Sequence, residues 1–414
     1  MSAKRTTPAI GAPEDAGQLL DFVRNRQASS RPELERVSGL ARATVVQRLR
    51  YLFATGLVIE DGAVEGSIGR PAKMLKLDPN FGVVLAADVG ESVARVAAVD
   101  LSPSILAETT LELDVSSGPQ EVLSAIVKAC HKLTRQIGRP IERCLGIGLS
   151  LPAPVDYVAG RIVGPSVMRG WDQFDICGFV SDSLKIPTRV DNDVNLMAMS
   201  EYRRFWPHVE HFLFIKAGTG IGSGIITGGK IYRGAKGASG DIGHIQFEAP
   251  KAPLCRCGKA GCVEAVAAGW AIARDLRDQG YEVNNARDVI ALLEKGEPIC
   301  IQRVREAGRV LGEVAADVVS VLNPSAIVVG GTLSRAGDHL LAGIKELIFR
   351  RCLPLALDGL GIYLARSDES AGILGAAQLL IDSELAPNRL NATVTRVKGA
   401  AVFRREPFAK LADA

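Results

Sequence analysis

The sequence predicts an α/β protein that carries a small helical head. Three observations lead there. Apolar strands and amphipathic helices alternate over residues 81–383. Two of those strands run into a glycine turn with a further strand behind it, as in a duplicated α/β unit. Residues 16–77 instead show three short helical patterns and then two short strands. The 414 residues allow two or three domains, and a composition of 47% hydrophobic and 23% charged residues excludes wholesale disorder.

Residues 1–13, polar and holding Pro8, Gly11 and Pro13, read as a flexible leader. Ala16–Asn25 is helical, with Leu19, Leu20 and Val23 on one face. Ser30 caps a second helix, Glu33 completes a capping-box pattern, and Pro32 sits in the first turn, where its missing N–H is harmless. Gly39 supplies the turn into a third helix, about Ala41 to Ala54, with Val46, Leu49 and Phe53 as its apolar seam and Gly56 as its end. Leu57–Glu60 and Met74–Leu77 are short strands around the loop Asp61–Lys73. Three helices and a two-stranded wing make a winged helix-turn-helix.

The formal charge of +3 is uneven. Within residues 24–50 seven arginines face two glutamates, a local +5 that leaves −2 for the rest. On the third helix Thr44, Gln47, Arg48 and Tyr51 share one face, with Arg42 near its start. A cationic, amide-bearing face suits the DNA major groove; the bland alternative is a solvated face of a protein-binding winged helix. Gly69-Arg70-Pro71 in the wing loop places an extended Arg where it can enter a minor groove.

In the body, Val83–Val89, Val93–Asp100 and Leu106–Leu113 read as strands, Glu121–Ile137 as a helix and Cys144–Leu149 as a strand. Phe212–Ala217 enters Gly218-Thr219-Gly220-Ile221-Gly222-Ser223-Gly224, whose counterpart is Asp88-Val89-Gly90-Glu91-Ser92. Such turns bring backbone N–H groups to an anion, or are hairpins without a ligand; Gly-Lys-Ser/Thr is absent, so neither is a Walker loop. Ile301–Leu322 is a long helix before the buried strand Ala326–Val329. Asn192-Asp193 ends the strand Thr188–Val190; the pair can hold a hydroxyl and take its proton, or simply cap the next helix. His244 with Cys255, Cys257 and Cys262 offers an imidazole and three thiolates, the donor set of a closed structural zinc site, one per chain. The scattered Cys130, Cys144, Cys177, Cys300 and Cys352 read as small buried hydrophobes. No secretory pattern or membrane-length apolar run is present, so a cytoplasmic protein is expected.

Together these residues resemble the ROK family of repressors and sugar kinases, over about residues 16–383. Cys-x-Cys-Gly-x-x-Gly-Cys-x-Glu at Cys255–Glu264 is complete, and Gly240-Asp241-Ile242-Gly243-His244 matches the Gly-Glu-x-Gly-His stretch with Asp for Glu. The resemblance implies two actin-like (ribonuclease-H-like) lobes with a sugar cleft between them. It implies that Asn192, Asp193, Asp241, His244 and Glu264 bind the sugar, with Asp193 as the base. It makes Asp88, Gly90, Gly218, Thr219, Gly220 and Gly222 phosphate-loop residues and Gly330-Gly331 an adenosine-side motif. Members with a winged helix are regulators, which implies operator DNA, read here by Arg42, Thr44, Gln47, Arg48 and Arg70, a sugar effector, and a homodimer or homotetramer. The expected layout is a leader (1–13), a DNA-binding head (14–78), a sugar-binding body (79–385, lobe boundary near 195–210) and a surface extension (386–414). The first phosphate loop departs from the family's Asp-x-Gly-Gly-Thr at Glu91, a negative charge where a triphosphate would approach. The chain is therefore expected to be a regulator and not an enzyme, with Asp193 vestigial; an ATP-dependent sugar kinase with an appended DNA-binding head is the alternative.

Overall fold

A computed structural model describes residues 13–63, 73–164, 166–247 and 252–398. The leader up to residue 12, the Gly69-Arg70-Pro71 stretch and residues 399–414 lie outside the described residues.

The chain begins with α1 (Pro13–Arg24), α2 (Arg31–Ser38) and α3 (Arg42–Thr55), followed by an antiparallel ribbon of β1 (Val58–Ala63) and β2 (Lys73–Leu77). Ser30 caps α2 by accepting from the Glu33 N–H at 3.4 Å. The reciprocal bond falls one residue earlier than expected, because Glu33 Oε2 accepts from the N–H and the hydroxyl of Ser29. Gly39 and Gly56, at φ 66° and 74°, close α2 and α3 in the left-handed region. The buried stripe of α3 is Val45, Leu49 and Leu52 with Tyr51; Val46 and Phe53 are only half-buried. Tyr51 turns inward because its hydroxyl meets Asn391 Oδ1, 3.3 Å away near the other end of the chain.

The first sheet is built from β3 (Val84–Val89), β4 (Val93–Val99), β5 (Ile105–Glu112), α4 (Pro119–Gln136), β6 (Gly146–Leu151), the hairpin β7 (Val155–Asp156) and β8 (Arg161–Ile162), α5 (Ile176–Leu184) and β9 (Thr188–Asn192). Helix α6 (Asp193–Phe205) leads to β10 (His211–Ala217), β11 (Ile221–Thr227) and β12 (Lys230–Ile231). Then come α7 (Val263–Ala267), α8 (Gly269–Arg277), α9 (Ala286–Glu294), α10 (Pro298–Leu322), β13 (Ala326–Gly330), α11 (Asp338–Arg351), α12 (Pro354–Leu357) and β14 (Gly361–Leu364). Helices α13 (Ala371–Glu384) and α14 (Leu390–Lys398) end the described chain.

Among the described residues the two large sheets have five strands each, ordered β5-β4-β3-β6-β9 and β12-β11-β10-β13-β14. In both, the first strand of the unit pairs antiparallel with the second and parallel with the fourth. The duplication expected from the two glycine turns is thus present strand for strand. Helices α4 and α5 cover one face of the first sheet, and α8 to α11 one face of the second. Between the sheets lie α6, on the second, and α13, on the first, packed against each other. Their approach is set by bare backbone: a Cβ on Gly375 would stand 2.1 Å from Leu196 O, and one on Gly148 1.9 Å from Ala376 O.

The head does not hang from a linker. Leu19, Leu20, Leu49 and Leu52 form one continuous core with Val84 and Ala97 of the first sheet, Ile373 and Leu380 of α13, and Leu390 and Val394 of α14. Residues 390–398, expected as part of a surface extension, are therefore a packed helix. Arg396 fixes it by donating to the carbonyls of Cys144 and Leu145, both at 2.6 Å. Cys130, Cys144, Cys300 and Cys352 are buried, as the sequence suggests, and Cys177 is half-buried. No helix among the described residues is long and apolar enough to cross a membrane.

The α6–α13 contact yields a stability prediction. Gly375→Ala drives a methyl into a carbonyl that cannot rotate away, and should cost about 3 kcal/mol in chemical denaturation. A variant as stable as the parent contradicts the packing described.

Candidate functional site

The sheets and the helices between them open on a cavity of about 780 Å³. It lies where the N-termini of α6 and α13 meet both glycine turns. Asn192, Asp193, Asp241, His244 and Glu264 all line it, as do Asp88, Gly90, Gly218, Thr219 and Gly220.

Individual side chains carry structural commitments as well. The Asn192 carbonyl oxygen caps α6, accepting from Val194 N at 2.9 Å and Asn195 N at 3.3 Å, while its amide donates to Ala153 O at 3.1 Å. The helix-capping alternative is thus realised at this residue. Asp193, 7% exposed, is the first residue of α6, and its Oδ2 accepts from the ammonium of Lys216 on β10. Burial pulls the Lys216 pKa down, but Asp193, then Asp88 and Glu264, outweigh it and hold the ammonium above its ordinary value. Asp88 takes the Ser150 hydroxyl at 2.5 Å, and burial pushes its carboxyl up. Glu264 Oε2 accepts from Ile221 N at 3.1 Å, which ties α7 to the second glycine turn. Gly222, the second residue of β11, also lines the cavity. A Cβ there would press on Val194 of α6 at 3.0 Å, so this glycine serves helix–strand packing as well.

Two ion pairs tie the halves of the body together, one of them at the cavity wall. Arg256, between two of the cysteines, grips Glu91 of the first turn at 2.9 and 3.1 Å, stacks over Trp270 at 5.1 Å and lies 3.5 Å from Glu264. Arg233, after β12, donates to the buried Asp191 at the end of β9 at 2.7 and 2.8 Å, and lies 4.0 Å over the Tyr157 ring. Both pairs join the first sheet's half of the body to loops that follow β12. Lys216, Arg233 and Arg256 escaped the sequence reading because no local motif marks them; only the fold brings them to their carboxylates.

His244 and the three cysteines place one ligand atom each within 4.8 Å of one another. Cys255 Sγ to His244 Nδ1 and Cys257 Sγ to Cys262 Sγ are both 3.7 Å. Metal–sulfur bonds of about 2.3 Å in a tetrahedron need edges of roughly 3.8 Å, so the donors fit a metal ion. Gly258 and Gly261, at φ 89° and 76°, fold the loop back on itself. Burial, and then the neighbouring Cys257, push the Cys262 thiol up to about 12; a cation is what lets three thiolates share this space. The other nitrogen of His244, Nε2, is 4.0 Å from Asp241, so one ring spans the cysteine cluster and the cavity wall.

On the head, Arg42 and Gln47 are exposed, while Thr44 and Arg48 are half-buried. Tyr51, expected on the same face, is 3% exposed and inside. The exposed face carries Arg50 instead, eight residues after Arg42, since the buried stripe is turned by one residue. Arg70 lies outside the described residues.

Cys262→Ser should lose the bound metal, measured by elemental analysis, and about 3 kcal/mol of unfolding free energy. Full metal content in that variant contradicts the site.

The ROK family profile matches residues 84–383. A solved ROK family transcriptional regulator, a homologue of the Escherichia coli MLC protein, aligns with a TM-score of 0.78 at 26% identity over 94% of this chain and 99% of that one. The xylose repressor of Bacillus spizizenii is 25% identical over 368 residues, 88% of this chain and 94% of the repressor. The glucokinase of Halalkalibacterium halodurans is 29% identical over 321 residues, 74% of this chain and 97% of the enzyme. That match corrects the expectation that the chain is not an enzyme: a glucokinase is similar to this body along nearly its whole length. The physical ground for the expectation falls as well, because the Glu91 charge is met by Arg256 inside the cavity. Taken with the duplicated sheets and the shared cavity, these matches show that the chain belongs to the ROK family.

Proposed function

We propose that the chain is a sugar-responsive transcriptional repressor with two actin-like lobes. Its winged helix-turn-helix head, residues 14–78, binds operator DNA, and its body, residues 79–385, holds a sugar at Asn192, Asp193, Asp241, His244 and Glu264. The observation that carries this reading is a cationic helix face built into the same core as the helix that starts at the cavity. Helix α13 begins at the cavity, where Gly372 abuts Asp88, and ends at the head, where Arg24 of α1 donates to Ile381 O at 3.2 Å. Asp382 completes the joint between Arg24 and Arg203, at 3.4 and 2.5 Å. Burial pushes the Asp382 carboxyl up, but Arg203 and then Arg24 outweigh it and hold it below its ordinary value. A sugar that shifts lobe closure thereby moves the head. The repressor relative supports this through its coverage of most of the chain, where the kinase relative covers less.

In this reading zinc is the metal at His244, Cys255, Cys257 and Cys262, since three sulfurs and one imidazole are its preferred donors. The ion is structural: it holds Arg256 toward Glu91 and His244 toward the sugar. A cytoplasmic homodimer or homotetramer would set two heads about one DNA turn apart, roughly 34 Å, on a two-fold operator. Arg42, Thr44, Gln47 and Arg48, with Arg50 and Arg70, face the DNA.

The test is operator affinity by fluorescence anisotropy at two salt concentrations. Arg42→Ala and Arg50→Ala should each weaken binding by about 1–3 kcal/mol, with a salt slope smaller by about 1 where the contact is to phosphate. Sugar binding should stay unchanged in both. A double variant that binds operator like the parent overturns the assignment.

A further inference from the structure

Lys216 stands two residues before the second glycine turn, on the strand that faces α6. Its ammonium donates to Asp193, the carboxylate to which a sugar hydroxyl would deliver its proton. The two are deep in the cavity, with side chains 21% and 10% exposed. Asp88 and Glu264 add negative charge around the same ammonium, so it stays cationic despite its burial.

We infer that Lys216 restrains Asp193: the cavity keeps its capacity to bind sugar, while the carboxylate is withheld from proton transfer. The inference rests on the reading of the cavity as a sugar site. In phosphoryl transfer the sugar hydroxyl oxygen attacks the terminal phosphorus of a nucleoside triphosphate. The bond from that phosphorus to the bridging oxygen breaks, and the nucleoside diphosphate leaves with the electron pair. The hydroxyl proton passes to Asp193 and on to solvent. An ammonium donating into Asp193 opposes that transfer in two ways. It occupies an acceptor lone pair, and its charge repels the arriving proton. Asp193 is thereby turned from an acceptor of protons into a fixed acceptor of one hydrogen bond. Lys216 is a positioning residue in this scheme, and the rate of any phosphoryl transfer to a bound sugar depends on it.

The experiment uses the full-length protein with its metal, magnesium-ATP and a panel of hexoses and N-acetylhexosamines. Sugar binding is followed by calorimetry and turnover by sugar-dependent ADP release. Lys216→Met should raise kcat about tenfold or more while leaving KM for the sugar near the parent value. Lys216→Arg, which keeps the cation, should stay at the parental rate, and Asp193→Asn in the Met background should remove the gain. Lys216→Gln provides the same comparison if the Met variant does not fold. Sugar binding with a rate at or below the parent's in the Met and Gln variants overturns the proposal alone. If no sugar binds the parent or any variant, the sugar-site reading falls, and this inference with it.

Discussion

Helix α13 can lie between the two sheets only because side chains are missing where it touches them. Gly372 abuts Asp88 at the cavity, Gly375 the backbone of α6, and Gly148 of β6 the carbonyl of Ala376. The Gly375 and Gly148 contacts are backbone to backbone, with no soft layer of side chains to absorb a shift, and Gly372 meets the Asp88 carboxylate. The helix is buried over most of its length, from Ala371 to Ile381. One end borders the cavity and the other holds α1 through Arg24. A displacement at the cavity has no slack in which to fade before it reaches the head, and that tight fit is the physical basis of the coupling proposed between ligand and DNA.

Electrostatics tie the two halves of the body together. Glu91–Arg256 joins the first glycine turn, and Asp191–Arg233 the end of β9, to loops that follow β12, and both arginines lie against an aromatic ring. Arg256 is flanked by Cys255 and Cys257, so the loop that carries the candidate metal ligands also delivers the bridge. The cysteine cluster and the cavity are in this way connected through one side chain. A charge at Glu91 that looks hostile to a phosphate in the sequence has its own counter-ion in the fold.

Much of this was legible in the sequence because the signals are local. The glycine turns, the cysteine spacing, Ser30 as a cap and Gly39 and Gly56 as helix ends all depend on a few neighbouring residues, and the structure shows each of them. The face of α3 was misjudged by one residue because periodicity does not tell which side is covered; α14 covers it, from more than three hundred residues away. Gly222 lines the cavity and also makes room for Val194 of α6, a second role that a glycine repeat does not announce. Lys216, Arg233 and Arg256 were silent for a related reason: their carboxylate partners lie 23, 42 and 165 residues away in sequence. Amphipathic residues after Leu390 were present in the sequence, but only the head and the first sheet together supply the surface that buries them.

The central claim is thermodynamic coupling between a sugar in the cavity and DNA on the head. The direct measurement is the sugar dissociation constant with and without saturating operator DNA, paired with the operator dissociation constant with and without saturating sugar. The account predicts that both change by the same factor, about tenfold or more, equivalent to about 1.4 kcal/mol of coupling. A sugar that binds with the same affinity whether or not operator is bound would contradict it.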